Sequence, residues 1–463
     1  MNYLSKKIPV YSSATATLCI KSCYNFTLCF NTPSVLTRFT RNDNYRFYKT
    51  INLSNQIIQI HNLKEAFFKT MKKYDVIIAG AGPAGSSAAA ILGEKGHSVL
   101  LIDKENFPRD KTCGDGVTYK AMPALKRLGL DETIKSSSTF KTNGYTLVFR
   151  DNTKLIFEKP PSEEALAYII SRHEFDNIIL EKAISYKSVT FLPNTKVTGV
   201  RYEGDRVTAV EINGEALCEA AVVIDATGVN SILGKENKDP QSCALAVRGY
   251  YSNVADLNNT IEVYFSDDIL PGYFWIFPTS PTTANIGGGT FQNIVEDRKI
   301  NIKELMYDFV ENHPIASKKL KHAKLEGILK GGKIPLAFGD FSWSRVRRNL
   351  ILIGDAGGFV NPITAEGISY AIKTGIYAAE TVSEYLVENA ENQATLSNFD
   401  ALWKKEFSSQ YKMGDIFIEG IEPQLVQKYV MSSLLNSMDG LNLQNPATSY
   451  EYLVRLKVLT KAF

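Results

Sequence analysis

The chain has 463 residues, of which 44% are hydrophobic and 22% are charged. This length exceeds the ~100–200 residues of one ordinary domain, and the composition excludes disordered, collagen-like and low-complexity proteins. No apolar run reaches the ~18 residues that span a bilayer, and six scattered cysteines do not suit a disulfide scaffold, so a cytoplasmic protein is expected.

The first 70 residues carry nine basic and two acidic side chains, so the rest of the chain has a small net negative charge. That charge argues against a nucleic-acid partner, which needs a basic surface on the folded part. The segment is either a transit peptide for an organelle, a leader upstream of a true start at Met71, or an ordered domain. Cys19, Cys23 and Cys29 lack a fourth ligand at zinc-finger spacing, so no metal is predicted.

A β-α-β unit begins at residue 74. Residues 74–79 form an apolar strand, the motif GAGPAG occupies residues 80–85, a helix of small residues follows to residue 95, and the next strand ends at Asp103. Strand, glycines, helix and acidic residue occur in the order of a dinucleotide-binding fingerprint. The unit therefore predicts a nucleotide site rather than a purely structural motif.

The three glycines of the fingerprint have separate physical roles. Gly80 allows the tight turn, Gly82 lets the backbone approach a diphosphate, and Gly85 permits close packing of helix on strand. The free N–H groups and the positive dipole end of the helix then face the diphosphate. Asp103 is placed to accept hydrogen bonds from ribose hydroxyls.

Two later elements favour FAD over NAD. VVIDATG at residues 222–228 and LILIGDAGG at residues 350–358 are buried strands that end in glycine turns, and a helix follows from residue 366 to residue 386. The positive end of that helix can face the flavin edge that becomes anionic on reduction, and Asp355 can hold the ribityl chain. Non-covalently bound FAD is therefore predicted.

An aromatic strand, PGYFWIFP, occupies residues 271–278. Because side chains alternate along a strand, Tyr273, Trp275 and Phe277 share one face, and Phe274 and Ile276 point the other way. Such an aromatic wall suits a long apolar substrate. The alternative is that the three rings fill the core of a sheet.

The remaining pattern predicts an α/β fold, in which a Rossmann-like FAD-binding domain is interleaved with a mostly antiparallel-sheet substrate domain. A hairpin at residues 197–212 extends the cofactor domain. A basic, apolar tail at residues 450–463 is expected to pack as a helix, to cap the substrate site or to touch a membrane surface. The predicted division is a leader or extension at 1–70, a discontinuous FAD-binding domain at 71–140, 170–240 and 340–386, a substrate domain at 141–169 and 241–339, and a helical region at 387–463.

At these motifs the sequence resembles the FAD-dependent oxidoreductases of the para-hydroxybenzoate hydroxylase-like fold, and most of all the geranylgeranyl reductase family. The aromatic strand, followed by ANIGGG at residues 284–289, is similar to that family's YxWxFP signature. The other matching blocks are GAGPAG at 80–85, FPRDKTCGDG at 107–116, RHEFD at 172–176, ATG at 226–228 and GDAGG at 354–358.

The resemblance implies a set of site residues. It places substrate against Tyr273, Trp275, Phe277 and Pro278, and puts Cys113 beside the flavin ring, where its thiol can donate a proton. A small buried hydrophobe is the alternative for Cys113, and Asp115 departs from the more common small residue in this loop. The implied cofactor-binding residues are Gly80, Gly82, Ala84, Gly85, Asp103, Lys104, Arg109, Cys113, Gly114, Arg172, Val197, Thr227, Gly228, Asp355, Gly367 and Ile368.

The expected function is reduction of C=C bonds in a prenyl chain on a lipid, quinone or chlorophyll precursor. Because the sequence has no second dinucleotide fingerprint, NAD(P)H is expected as a transient donor, or a ferredoxin-like carrier in its place. The expected partner is a prenylated small molecule or lipid, with peripheral membrane contact and no evident protein partner. Alternatives are a monooxygenase or halogenase of the same fold, a non-redox flavin-requiring isoprenoid cyclase, and a flavoprotein that passes electrons to quinone.

Overall fold

The computed structural model describes residues 16–21, 27–32, 52–53, 56–57, 73–158, 160, 164–212, 215–231, 243–337, 344–388 and 392–418. The chain divides into two compact units, Met1–Thr70 and Met71–Phe463. Most of the predicted leader and the whole predicted tail at 450–463 lie outside the described residues.

The first unit contains two short antiparallel hairpins, which the sequence pattern did not predict. The longer one pairs segments rich in Thr, Ile, Leu and Phe, residue types that favour strands. The four strands are β1 (Ala16–Lys21), β2 (Thr27–Thr32), β3 (Asn52–Leu53) and β4 (Gln56–Ile57).

The second unit contains the remaining strands. They are β5 (Lys73–Ala79), β6 (Val99–Ile102), β7 (Gly116–Thr118), β8 (Phe140–Thr142), β9 (Gly144–Val148), β10 (Lys154–Glu158), β11 (Ala167–Ile169), β12 (Val189–Leu192), β13 (Val197–Glu203), β14 (Arg206–Ile212), β15 (Glu215–Asp225), β16 (Cys243–Ser252), β17 (Thr260–Tyr264), β18 (Tyr273–Pro278), β19 (Ala284–Phe291), β20 (Lys324–Pro335), β21 (Val346–Arg347) and β22 (Leu350–Leu352).

The helices of the second unit follow the same order. Within the described ranges, no helix is both long enough and apolar enough to cross a membrane. The helices are α1 (Pro83–Glu94), α2 (Met122–Arg127), α3 (Asp131–Ser137), α4 (Arg172–Ile184), α5 (Gln292–Asp297), α6 (Ile302–Asn312), α7 (Ala316–Leu320), α8 (Ile368–Val387) and α9 (Gln393–Ile418), and short 3₁₀ turns lie at Tyr119–Ala121 and Gly354–Gly357.

An eight-stranded sheet carries the dinucleotide fingerprint. Its order is β12-β6-β5-β15-β14-β13, with β22 beside β15 and β21 beside β22. The pairs β12–β6, β6–β5, β5–β15 and β15–β22 are parallel, which brings their carboxyl ends to one edge. On one face of the sheet, β5 and β6 pack against helices that include α1, α4 and α8. On the other face, the same two strands pack against side chains of β13 and β14. Burial on both faces explains why β6 is a continuous apolar run.

A seven-stranded sheet carries the aromatic strand, in the order β10-β9-β17-β18-β19-β16-β20. All its pairs are antiparallel except β9–β17. Phe274 and Ile276 of β18 pack with residues of α6 and α7, and Tyr273 and Phe277 pack on the opposite face. The structure thus confirms the predicted alternation along β18. The interleaving of the two sheets confirms the predicted fold class, while the exact domain boundaries stay a prediction.

The described C-terminal region is helical, as predicted. Helix α9 packs with α8 and places three aromatic rings, those of Phe399, Trp403 and Phe407, against Phe359, which lies just after the Gly354–Gly357 turn. The Tyr411 hydroxyl donates a hydrogen bond of 2.9 Å to the Phe359 carbonyl oxygen. Helix α9 therefore supports the back of a glycine turn that faces the candidate site.

A protein that begins at Met71 should fold and bind FAD as the full chain does. All the cofactor and aromatic motifs lie after this residue, and the chain separates into units next to it. Circular dichroism and the flavin absorbance per protein would test this expectation. Loss of yellow, folded protein on removal of residues 1–70 would contradict it.

Candidate active site

One cavity of about 1040 Å³ lies where residues of the two sheets approach each other. This volume is at the upper end of the ~300–1,000 Å³ typical of ligand pockets. Of the predicted site residues, Gly85 and Pro278 lie outside its lining. The lining includes Gly80, Gly82, Ala84, Asp103, Lys104, Arg109, Cys113, Gly114, Arg172, Val197, Thr227, Gly228, Tyr273, Trp275, Phe277, Asp355, Gly367 and Ile368.

The three fingerprint glycines differ in what surrounds them. Gly80 has φ +104°, and a Cβ on it would lie 2.2 Å from the Ala226 carbonyl oxygen; a Cβ on Gly85 would lie 1.8 Å from the Gly80 oxygen. The fold itself therefore requires these two glycines. A Cβ on Gly82 would meet only Arg109 Nη2, at 3.5 Å. The space above Gly82 is open in the protein and is suited to a ligand.

This space lies at the start of α1, for which Gly82 is the N-cap and Pro83 the first helical residue. The free N–H groups and the positive dipole end of α1 favour an anion there. Arg109 Nη1 is buried without a hydrogen-bond partner among the described residues, although it lies 3.1 Å from Asp176 Oδ2. Arg109 thus holds Nη1 against Asp176 and Nη2 beside the open space over Gly82, a placement that fits a diphosphate.

Buried charges beside this anion site leave an excess of positive charge. Arg172 donates two hydrogen bonds, of 2.6 and 2.7 Å, to the fully buried carboxylate of Asp176. Burial alone would lower the pKa of Arg172, but Asp176 outweighs this and raises it. Asp176 thus faces two guanidinium groups, those of Arg172 and Arg109, so these three side chains together carry one net positive charge.

Asp103 directly follows β6 and lines the same cavity. One carboxylate oxygen accepts a 2.7 Å hydrogen bond from the Ala81 N–H, and the other accepts a 2.8 Å bond from the Glu105 N–H. A carboxylate has about four acceptor positions, so capacity for ribose hydroxyls remains. Asp103 therefore also fixes the loop that carries Gly82, a role that the sequence alone did not indicate.

The Gly354–Gly357 turn and the N-terminus of α8 complete the cofactor side. Asp355 is paired with Lys111, at 2.8 Å. Burial alone would raise the pKa of Asp355, but Lys111 and Arg172 outweigh it, so this pKa is lowered and the group is ionised. Gly367 is the N-cap of α8, and the positive dipole end of this helix opens into the cavity. These residues fit FAD: Gly82 and Arg109 would hold the diphosphate, and Asp355 would hold the ribityl chain.

Tyr273, Trp275 and Phe277 form an aromatic wall on the other side of the cavity. The Trp275 ring centroid is 6.3 Å from that of Tyr273 and 6.2 Å from that of Phe277. A Cβ on Gly114 would lie 2.7 Å from the Phe277 ring, so the loop that carries Cys113 packs directly on the wall. Trp275 lines the cavity but is only 8% exposed, so its ring also packs within the sheet.

Cys113 lies between the cofactor side and the aromatic wall and is partly buried. Its Sγ accepts a hydrogen bond of 3.4 Å from the Asp115 N–H. Burial raises the pKa of the Cys113 thiol above its usual value of 9, and the nearby Arg172 only partly offsets this. The thiol therefore keeps its proton at neutral pH, as a proton donor must.

Four residues that shape this site were missed in the sequence. Lys111 stands within the quoted block 107–116, and Asn285 stands within the quoted block 284–289. Asp176 lies one helical turn after Arg172, a spacing that favours ion pairs and could have identified it. Tyr250, which donates a hydrogen bond to Asp115, gave no signal, because it comes from β16, a strand remote in sequence.

Comparison with known proteins agrees with this geometry. A family model described as an FAD binding domain matches residues 73–256, so the fold and the site define an FAD-dependent oxidoreductase. A second model, the geranylgeranyl reductase catalytic domain, matches residues 242–328. The chain belongs to the geranylgeranyl reductase family.

Two relatives illustrate the range of named activities. The menaquinone reductase of Mycobacterium tuberculosis is 30% identical over 66% of this chain and 76% of its own length. The digeranylgeranylglycerophospholipid reductase of Methanocaldococcus jannaschii is 28% identical over 80% of this chain and 93% of its own length.

Solved structures agree with the fold. A geranylgeranyl bacteriochlorophyll reductase-like protein from Thermoplasma acidophilum has a TM-score of 0.69 and 24% identity over 78% of this chain and 91% of its own. A flavin-dependent brominase has a TM-score of 0.62 and 23% identity over 84% of this chain and 93% of its own. At these identities the likeness concerns the fold alone.

The flavin should be released when the protein is denatured. No histidine lines the cavity within the described part of the chain, and burial keeps the Cys113 thiol protonated, so neither residue type is suited to form a covalent tether. After acid or heat precipitation, the yellow colour should appear in the supernatant. A yellow precipitate would contradict this prediction.

Proposed function

We propose that this protein reduces carbon–carbon double bonds in the prenyl chain of a lipid or quinone, with FAD as its resident cofactor and NAD(P)H as a transient donor. The observation that carries the proposal is the placement of Cys113. Its loop lies between the anion site at Gly82 and the aromatic wall, inside one continuous cavity. Cofactor, proton donor and apolar substrate can therefore meet there.

The aromatic wall suits a prenyl chain because it offers apolar area without matching hydrogen-bonding groups. The Tyr273 hydroxyl already donates a 2.7 Å hydrogen bond to the Thr364 carbonyl oxygen, which leaves the ring for packing. Ile261 and Val263 of β17 extend this lining. Each CH₂ group buried there stabilises the complex by ~0.8 kcal/mol, so an isoprenoid chain is favoured over a small polar substrate.

The proton can come from Cys113. Once bound and reduced by NAD(P)H, FAD would supply a hydride to one carbon of the double bond and would itself be reoxidised. At the other carbon a new C–H bond forms as the Cys113 S–H bond breaks. The thiolate that remains is stabilised by the Asp115 N–H and by the positive charge of Arg172, and it regains a proton from water.

The named relatives support this substrate class, since one is a menaquinone reductase and another is a digeranylgeranylglycerophospholipid reductase. The second candidate is oxygen-dependent chemistry, because a fold shared with a brominase does not by itself decide between reduction and oxygenation. A halogenase is disfavoured, because residues 273–278 read YFWIFP and lack the WxWxIP pattern that is typical of flavin-dependent halogenases.

A single-turnover experiment without oxygen would test the proposal and avoid the choice of donor. The FAD-loaded protein is reduced with one equivalent of dithionite and mixed with a digeranylgeranylglycerol lipid, which contains no quinone ring that could accept electrons. We expect flavin absorbance to return and the lipid to gain the mass of two hydrogens per reduced bond. The fully saturated lipid should leave the flavin reduced.

Two variants separate the role of Cys113 from general loss of a thiol. Cys113→Ser should slow lipid reduction, while Cys218→Ser, at a partly buried cysteine outside the cavity lining, should not. Absence of any mass gain with the unsaturated lipid would refute the proposal. Incorporation of labelled oxygen under air would favour the monooxygenase alternative instead.

A further inference from the structure

We propose that Asp115 is a positioning residue that, together with Asn285, holds the thiol of Cys113 in a fixed place against the aromatic wall. This inference rests on the proposed function only in giving Cys113 the role of proton donor. Asp115 is not among the residues that line the cavity; it acts on Cys113 through the backbone and through Asn285.

The backbone of Asp115 has an unusual conformation. Its φ is +66°, in the left-handed region that most residues avoid and that Asp and Asn tolerate better than other side chains. In this conformation the Asp115 N–H points at Cys113 Sγ, at 3.4 Å. The shape of the backbone at residue 115 therefore fixes the position of the sulfur two residues earlier.

The side chain of Asp115 holds this conformation from three directions. It is 1% exposed, and its Oδ2 accepts hydrogen bonds from the Tyr250 hydroxyl, at 2.5 Å, and from Asn285 Nδ2, at 2.9 Å. Its Oδ1 accepts a bond of 3.3 Å from the Arg172 backbone N–H. The donors belong to β16, β19 and α4. One carboxylate therefore ties the loop to two strands of the seven-stranded sheet and to a helix that packs on the eight-stranded sheet.

Asn285 connects the same carboxylate to the aromatic wall. Its Nδ2 also donates a 2.7 Å bond to the Cys113 carbonyl oxygen, and its Oδ1 accepts a 3.1 Å bond from Trp275 Nε1. The amide orientation is fixed, because an indole N–H only donates and a backbone carbonyl only accepts. Asn285 is fully buried and uses both of its N–H groups and its oxygen in this network.

The consequence is that the Cys113 sulfur and the Trp275 ring are positioned by one connected set of hydrogen bonds. Removal of the Asp115 side chain frees the loop, while an Asn side chain keeps the left-handed backbone and one of the acceptors. The Cys113 sulfur should therefore lose much of its fixed position in Asp115→Gly and little of it in Asp115→Asn. A side chain that only filled space would not show this order.

The test measures the rate at which iodoacetamide alkylates each cysteine in the full-length, FAD-loaded protein, by mass spectrometry of its peptides. Cys218 in the same sample serves as the reference, since general loosening of the protein would raise its rate as well. We expect Asp115→Gly to raise the Cys113 rate about tenfold relative to Cys218, as loss of ~1.4 kcal/mol of restraint would do, and Asp115→Asn to stay within about threefold of the wild type.

Asp256→Gly is the matched control, because Asp256 also has a positive φ, of 52°, and lies outside the cavity lining. It should leave the ratio unchanged. An unchanged ratio in Asp115→Gly, or an equal rise in Asp256→Gly, would overturn the proposal. If Asp115→Gly does not fold, Tyr250→Phe decides: it removes one hydrogen bond, so a rise of about threefold is expected and no rise refutes the role. Alkylation needs no prenyl substrate, so this result is independent of whether the lipid is reduced.

Discussion

Gly82→Val should remove FAD from a protein that still folds. A valine side chain would fill the open space between the N-terminus of α1 and Arg109, where the diphosphate is expected. We expect FAD affinity to fall by more than about 100-fold, equivalent to ~2.7 kcal/mol. The free energy of unfolding of the FAD-free protein should change by no more than ~1 kcal/mol, because only Arg109 Nη2 lies near the new Cβ and Gly is merely a moderate N-cap.

Gly331→Val is the matched control for this substitution. A Cβ on Gly331 also meets no atom closer than 3.6 Å, but the residue lies on β20, outside the lining of the cavity. Flavin titration and thermal unfolding of both variants would separate the two effects. Flavin absorbance retained by folded Gly82→Val would refute the assignment of the diphosphate site.

Trp275→Ala should lower the turnover of prenyl lipid without loss of FAD. The indole is 8% exposed, lines the cavity and holds Asn285 through its Nε1–H. Its removal should cost ~3 kcal/mol of unfolding free energy, as for other large buried rings, and should lower kcat/KM by about 100-fold. Reduction of the bound flavin by the donor alone should be nearly unchanged, because the diphosphate and ribityl contacts lie elsewhere.

Phe274→Ala provides the control on the same strand. Phe274 is 3% exposed and points to the opposite face of the sheet. There its ring stacks on that of Phe309, with 4.3 Å between the ring centroids. Phe274→Ala should lower the free energy of unfolding by a similar amount, while the folded variant keeps the kcat/KM of the wild type. If both variants lose turnover equally, or if Trp275→Ala loses FAD, the ring serves the core and the wall is not a substrate surface.

The sequence by itself determined the features whose parts are close together in the chain. The fingerprint at residues 80–85, with its strand, helix and Asp103, is complete within about 30 residues because a β-α-β unit is local. Alternation along residues 273–278 likewise gave the two faces of β18, since the pleat of a strand has a period of two. The family resemblance rested on the same short blocks.

The tertiary structure alone decided which remote residues meet. Lys111 and Asp355 are 244 residues apart, Asn285 and the Cys113 carbonyl 172, and no pattern in one sequence pairs them. It also separated Gly80 and Gly85, which the neighbouring backbone requires, from Gly82, where the surrounding fold leaves room for a side chain. The physical reason is that periodicity and turn preferences are set by neighbours in the chain, whereas burial, charge pairing and open space depend on how whole sheets pack.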